Sequence, residues 1–373
     1  MKKSAFEGHL ATISEALRHP SDTVRAAAAA ALPPFCEKRL LDGDRCIKVP
    51  AGQSIANTFV GMVREENVAA RRGGALALAA LSPELLAPHG ERVLEAVGLA
   101  CHLEEDPDER DAESRAAAAR SLATLVASLP SLVERARAVV ADLLVAMEDY
   151  SIDNRGDVGS WVREAALVSL ERVAAQLLAA GELPDELALR CLGSLARQSA
   201  GRIDKVRAAA AERLVALAEA CAARGVATVT AEALLAALPG RGRSVTWTAS
   251  AAAFPAISPA LAVADLRPPL LEGLLASAGG AADSLGTAAR TALAEALKGA
   301  DGALRVAVAA EAAAVLERGG GPSKAAAAPM RAVEGLISAR ALDGGADAVW
   351  SARVAAAVKT ECAGCRDVQK LMA

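Results

Sequence analysis

The chain has 373 residues, 53% of them hydrophobic and 2% aromatic, and its 41 Lys plus Arg against 45 Asp plus Glu leave a net charge of -4. That length exceeds one ordinary compact domain, and a composition rich in alanine and leucine but poor in aromatic residues argues against a sheet-built core and for many helices packed through small side chains. The balanced charge supplies no overall basic field for DNA or RNA, so no nucleic-acid partner is expected.

From the N-terminus, Lys2 and Lys3 are followed by no apolar stretch, because Glu7, His9, Glu15 and Arg18 interrupt it; the start does not read as a signal peptide. A repeat then sets in: an arginine, a small residue two positions on, and a leucine seven positions on. It appears as Arg25/Ala27/Leu32, Arg71/Gly73/Leu78, Arg115/Ala117/Leu122, Arg163/Ala165/Leu170, Arg207/Ala209/Leu214 and Arg290/Ala292/Leu297, with arginine intervals of 46, 44, 48, 44 and 83 residues. Positions 0 and +7 lie two turns apart on one helix face, and the small residue lets a neighbouring helix approach. Each arginine should therefore open the second helix of a hairpin and serve in repeat stacking, and the long last interval should hide one degenerate repeat. Asp22 and Asp204, three positions ahead of their arginines, are expected to cap helix starts, and such Asp and Arg residues could pair between neighbouring repeats. A period in the forties is that of the two-helix HEAT or armadillo unit, so the expected fold is an all-α solenoid. Chance Arg-Leu spacings in an arginine- and alanine-rich chain would explain one instance, not six in near-constant phase.

The segment Glu148 to Leu167 lengthens its repeat and holds the only tyrosine, Tyr150, with one of three tryptophans, Trp161. Its plain structural reading is a long turn in which Asp157 or Ser160 caps the next helix and Trp161 fills the groove between hairpins. Its functional reading is a rim loop, Asp153, Arg155, Asp157 and Trp161, that touches a partner. The oxygen-rich run Asp149, Ser151, Asp153, Asp157 fails as an EF-hand, since Asn154 stands at the glycine position and Ser160 where glutamate is required. Arg155-Gly156-Asp157 spells an adhesion triplet with no extracellular context. The uncharged run Ser244 to Ala264 contains Pro255 and Pro259 and is too weakly apolar to drive membrane insertion. Beyond Leu297 the period weakens, and Gly319 to Lys324 lacks the glycine before lysine and the preceding strand of a phosphate loop; with the alanines after it, it reads as a flexible connection. Cys362 and Cys365 have Cys-x-x-Cys spacing without a second pair, and His9, His19, His89 and His102 fit no ligand pattern, so neither a metal nor a cofactor is expected. Seven scattered cysteines suit reduced thiols in the cytosol. The organisation read here is a repeat array over 1–297, a degenerate repeat and connection over 298–329, and a C-terminal helical segment over 330–373.

The stretch Asp153 to Arg163, Asp-Asn-Arg-Gly-Asp-Val-Gly-Ser-Trp-Val-Arg, resembles a signature of the C-terminal region of the tubulin-folding cofactor D family. Asp111 to Arg115, Ile203 to Ala208, Ala253 to Ile257, Leu271 to Gly280 and Asp367 to Leu371 are similar to further landmarks of that family in the same order, with the most family-like part over 148–297. The resemblance implies a HEAT-repeat chaperone without an active site of its own, located in the cytoplasm and associated with the cytoskeleton. It implies binding to β-tubulin and, with tubulin cofactors E and C and an Arf-like small GTPase, assembly or disassembly of the αβ-tubulin heterodimer, with GTPase stimulation only inside that larger complex. Members of the family are much longer, and their N-terminal two-thirds has no counterpart here. The alternative function is a HEAT scaffold of another cytosolic pathway. Docking would use local patches such as Arg71 with Arg72 or Arg241 with Arg243.

Overall fold

The computed structural model describes residues 5–280, 283–318 and 327–363. The chain divides into two compact units, Met1–Leu183 and Pro184–Ala373. Within each, helices pair into hairpins and the hairpins stack, an all-α solenoid architecture of HEAT-type repeats; strand occurs among the described residues only as a short hairpin and an isolated bridge.

The first unit contains α1 (Ala5–Leu17), α2 (Asp22–Leu40), α3 (Pro50–Val63), α4 (Val68–Ala80), the single turn α5 (Pro83–Leu86), α6 (Gly90–Leu99), α7 (Ala112–Ser128), α8 (Val133–Ala146) and α9 (Gly159–Ala180). The second helices of the hairpins, α2, α4, α7 and α9, lie side by side, and α3, α6 and α8 form the other row. Small residues let the second row approach closely enough for serine hydroxyls to cross it. Ser114 Oγ donates to Val68 O at 3.2 Å, Ser121 Oγ to Ala75 O at 3.1 Å and Ser169 Oγ to Ala119 O at 2.7 Å. The repeat leucines Leu32, Leu78, Leu122 and Leu170 are each 0% exposed between the rows.

The second unit contains α10 (Asp185–Ser199), α11 (Asp204–Arg224), α12 (Thr228–Ala237), α13 (Ser250–Ile257), α14 (Arg267–Ala278), α15 (Ser284–Lys298), α16 (Gly302–Arg318), α17 (Ala327–Ser338) and α18 (Ala348–Cys362). The long arginine interval holds α12, which packs on α11, and α13, which packs on α15; the fourth residue of α13 is Ala253, not arginine. The α10 helix packs on α11 and also on α14, where Ser277 Oγ donates to Ala200 O at 2.6 Å. Trp350 Nε1 donates to Ala309 O at 2.6 Å and fastens α18 to α16. The glycine-rich connection of 319–324 lies outside the described residues, as do Cys365 and the stretch Asp367 to Leu371.

Helix starts depart from the expectation in one respect. Asp22 and Asp204 are the first helical residues rather than N-caps, and neither reaches the amides two or three positions on. A side chain caps only from the extended residue before the helix, and that position belongs to Asn67, Asp111, Asp283 and Asp347, each accepting from a first-turn amide. Asp22 instead pairs with Arg25 on its own helix.

At Gly73 the small position of the repeat meets a neighbouring helix directly, whereas the equivalent Ala27 is exposed. A methyl group at Gly73 would collide with the carbonyl oxygen of Leu17, at the C-terminus of α1. Alanine is the better helix former by about 1 kcal/mol, but backbone cannot yield as a side-chain tip can. Gly73→Ala is therefore expected to lose about 1–3 kcal/mol net, measured by thermal melting; an unchanged or raised melting temperature would mean that α1 and α4 separate without cost.

Candidate functional site

The repeat arginines share one position and divide by partner. Arg25, Arg71, Arg115 and Arg207 are the fourth residues of their helices, Arg163 the fifth of α9 and Arg290 the seventh of α15. Arg25, Arg115, Arg163 and Arg207 are buried, each at most 3% exposed; Arg71 and Arg290 are half-buried. Most turn their guanidinium onto carbonyls left over where the preceding helix ends, where a cation also meets the negative end of the helix dipole. Arg25 Nη1 donates to His19 O and Pro20 O at 2.6 and 2.8 Å. Arg207 donates to Gly201 O at 3.0 Å and also to Trp247 O and Thr248 O at 3.2 and 2.8 Å, in the turn before α13. Arg290 Nη1 donates to Ala278 O at 2.7 Å.

Arg71 and Arg115 take carboxylates instead. Glu104 bridges them, its Oε1 receiving Arg71 at 3.0 Å and its Oε2 receiving Arg115. Arg115 also donates to Asp149 Oδ2 at 2.8 Å and Ser151 Oγ at 2.9 Å. Arg163 donates to Asp149 O and to Asp157 Oδ2 at 2.8 Å, and its guanidinium lies 4.3 Å from the Tyr150 ring centroid. Glu104, Asp149 and Tyr150 are the members of this cluster that sequence reasoning missed. The only signal was a choice of acidic residues in the turn ahead of each arginine, with nothing to rank them.

The carboxylate run 149–157 is thus engaged by arginines. Residues Ile152–Asp153 and Gly156–Asp157 form an antiparallel hairpin, β1 and β2, with Ile152 opposite Asp157 and Asp153 opposite Gly156. Asn154 and Arg155 make its tip, and Gly156 supplies the positive φ of 106° that closes it. Asp153 accepts from the Arg155 amide at 2.7 Å and from its guanidinium at 2.7 and 3.0 Å. That bond holds the Asp153 carboxyl below its ordinary pKa. Arg155 continues to Glu113 at 3.1 Å and lies 4.9 Å over the Trp161 ring. Asp157, two residues ahead of α9, accepts from the Ser160 amide of its first turn at 3.0 Å. Trp161, however, does not fill a groove between hairpins: it is 36% exposed, because α9 begins two residues earlier and turns this position outward. The hairpin brings Asp153, Arg155, Asp157 and Trp161 together, beside Ile152 at 78% and Tyr150 at 49% exposure.

The basic patches resolve differently. Arg72 pairs with Asp111 and Glu113, and both Arg71 and Arg72 are mostly covered, so they form no free cationic surface. Burial drives the Asp111 carboxyl up, but its bonds to Arg72 and Ser114 outweigh that and leave it below the ordinary range. Arg241 and Arg243 are exposed but face Glu232 and Glu219. Burial pushes the Cys36 and Cys191 thiols up to about 12 and that of Cys221 up to about 11, which keeps them protonated and poor nucleophiles or metal ligands. Among the described residues no group of three or more His, Cys, Asp or Glu side chains could hold a metal ion, and no helix is long and apolar enough to cross a membrane.

The family model described as Tubulin folding cofactor D C terminal matches residues 189–370. Tubulin-folding cofactor D of Schizosaccharomyces pombe (strain 972 / ATCC 24843) is 26% identical over 108 residues, 29% of this chain and 10% of that protein. The matched stretch therefore spans about a tenth of that relative. The family match begins in α10, after the rim hairpin, and takes in the arginine-bearing starts of α11 and α15. Over residues 189–370 the chain is thus similar to the C-terminal region of tubulin folding cofactor D.

Proposed function

We propose that this chain binds β-tubulin and takes part in assembling or dismantling the αβ-tubulin heterodimer, as a cytoplasmic, cytoskeleton-associated chaperone region that performs no covalent chemistry. The observation that carries this reading is the family match over residues 189–370. Tubulin cofactors E and C and an Arf-like GTPase would be co-partners, and any stimulation of GTP hydrolysis would arise only in their joint complex. The rigid rows of helices would hold the partner by surface complementarity, and the rim hairpin with Asp153, Arg155, Asp157 and Trp161 would be one contact, since it sets a cation-covered tryptophan and exposed Ile152 on a firm scaffold.

The test is binding of the purified chain to purified αβ-tubulin, followed by light scattering or capture. Asp153→Ala frees Arg155 from its anchor while touching no buried group. It is expected to leave the melting temperature unchanged and to weaken tubulin binding by about threefold to tenfold, the scale of a rim contact. A variant that melts earlier with affinity intact would remove the hairpin from the interface. Absence of any tubulin binding by the intact chain would leave a HEAT scaffold with another client.

A further inference from the structure

The first unit carries a second feature, separate from the rim hairpin. A cleft of about 350 Å³ opens between the end of α3, the end of α6 and the face of α7, lined by Val63, Leu99, Leu103 and Ala118 with Arg71 and Ser114 on its polar side. Its volume is in the range of sites that take a ligand. Leu99 and Leu103 stand at 55% and 44% exposure on this cleft. One exposed leucine is ordinary, but two on the wall of a single cleft form an apolar surface that water covers at a cost.

The neighbouring turn sets the charge of the occupant. After Glu104, which is neutralised by Arg71 and Arg115, come Glu105, Asp106, Asp108 and Glu109, all exposed, against the single cation Arg110. None of those four carboxylates has a salt-bridge partner among the described residues. This edge therefore presents an uncompensated negative field directly beside an apolar slot.

We infer that this cleft is a docking site for a segment of another protein that carries leucine-sized aliphatic side chains flanked by lysine or arginine. The aliphatic group would cover Leu99 and Leu103, and the flanking cations would meet Glu105 and Asp108. The inference does not depend on the tubulin reading, because it is tested with a synthetic ligand.

The probe is the fluorescein-labelled peptide Lys-Leu-Leu-Lys-Leu-Leu-Lys, its binding to the full chain followed by anisotropy. The chain should bind it, and the same peptide with every leucine replaced by serine, or every lysine by glutamate, should bind about tenfold or more weakly. Leu99→Ser with Leu103→Ser should weaken the parent peptide by about tenfold or more. Glu105→Gln with Asp108→Asn alters only exposed side chains, so it tests the charge argument even if the leucine variant were to fold poorly. It should weaken binding about threefold and flatten its salt dependence. The inference is overturned if the chain does not bind the parent peptide, if the serine peptide binds as well, or if the leucine variant keeps its circular dichroism and its full affinity. It is also overturned if sedimentation shows self-association that the leucine variant abolishes, for the occupant is then a second copy of the chain.

Discussion

Replacing Arg115 with alanine is expected to lower the unfolding free energy by about 3–5 kcal/mol, the scale of breaking a buried ion pair from one side. Arg115 is 1% exposed and Asp149 5%. Its three bonds, to Asp149, Ser151 and Glu104, join the start of α7 to the turns on both sides of it. Truncation leaves the Asp149 carboxylate buried, with the Ser151 backbone amide, at 2.9 Å, still donating to it. That stranded charge, rather than the lost methylenes, should supply most of the loss. Denaturant unfolding should show a lower midpoint at unchanged slope. The cause is separable, because Arg115→Ala combined with Asp149→Asn should recover a large part of the loss. No recovery in the double variant would assign the effect to lost volume. Arg115→Lys should recover only part, since one ammonium cannot direct donors at three separated acceptors.

Leu214→Ala should cost about 2–5 kcal/mol, for a buried leucine loses both transfer energy and the packing around the resulting void. Leu214 is 0% exposed in α11, seven residues after Arg207. Stability in stacked repeats is close to a sum of repeat and nearest-neighbour terms, so the loss should be local before it is global. Hydrogen exchange should speed up first in α10 and α11. Equal acceleration at α16 and α18 would show instead that the second unit opens as a single block. Replacing Glu212, exposed on the same helix, should change stability by less than about 0.5 kcal/mol.

The two variants also separate what is local in this chain from what is not. Leu214 is readable as core from its own helix: an apolar position two turns from an arginine, with a small residue between, follows the 3.6-residue period and needs no knowledge of the neighbours. The same holds for Leu32, Leu78, Leu122 and Leu170. The arginines at helix starts are equally legible in position, though Arg290 lies a turn deeper in α15 than the others.

Their partners were not legible. Arg72 meets Asp111 across 39 residues, Arg115 meets Asp149 across 34, and Arg155 meets Glu113 across 42. Several acidic residues stand at comparable spacings, and only the register of one hairpin against the next selects among them. The capping aspartates were misplaced by one position for a related reason: a cap depends on the backbone leaving the helix at that residue, which Asp22 and Asp204 do not do. Of the two readings of Trp161, groove filler or rim residue, the first fails because the helix phase after the hairpin turns it outward, where Arg155 covers its ring. The cleft beside Leu99 and Leu103 left no mark in the sequence, since nothing in α6 alone says that no helix covers its end.

The all-α repeat, the placing of the second helices with their buried leucines, and the likeness of residues 189–370 to the tubulin folding cofactor D C-terminal region are legible along the chain, because helix periodicity and motif order are properties of neighbouring residues. Which carboxylates hold which arginines, which caps operate, where a tryptophan is left exposed and where a cleft remains emerge only on folding, because each depends on atoms brought together from stacked repeats whose register is set by packing.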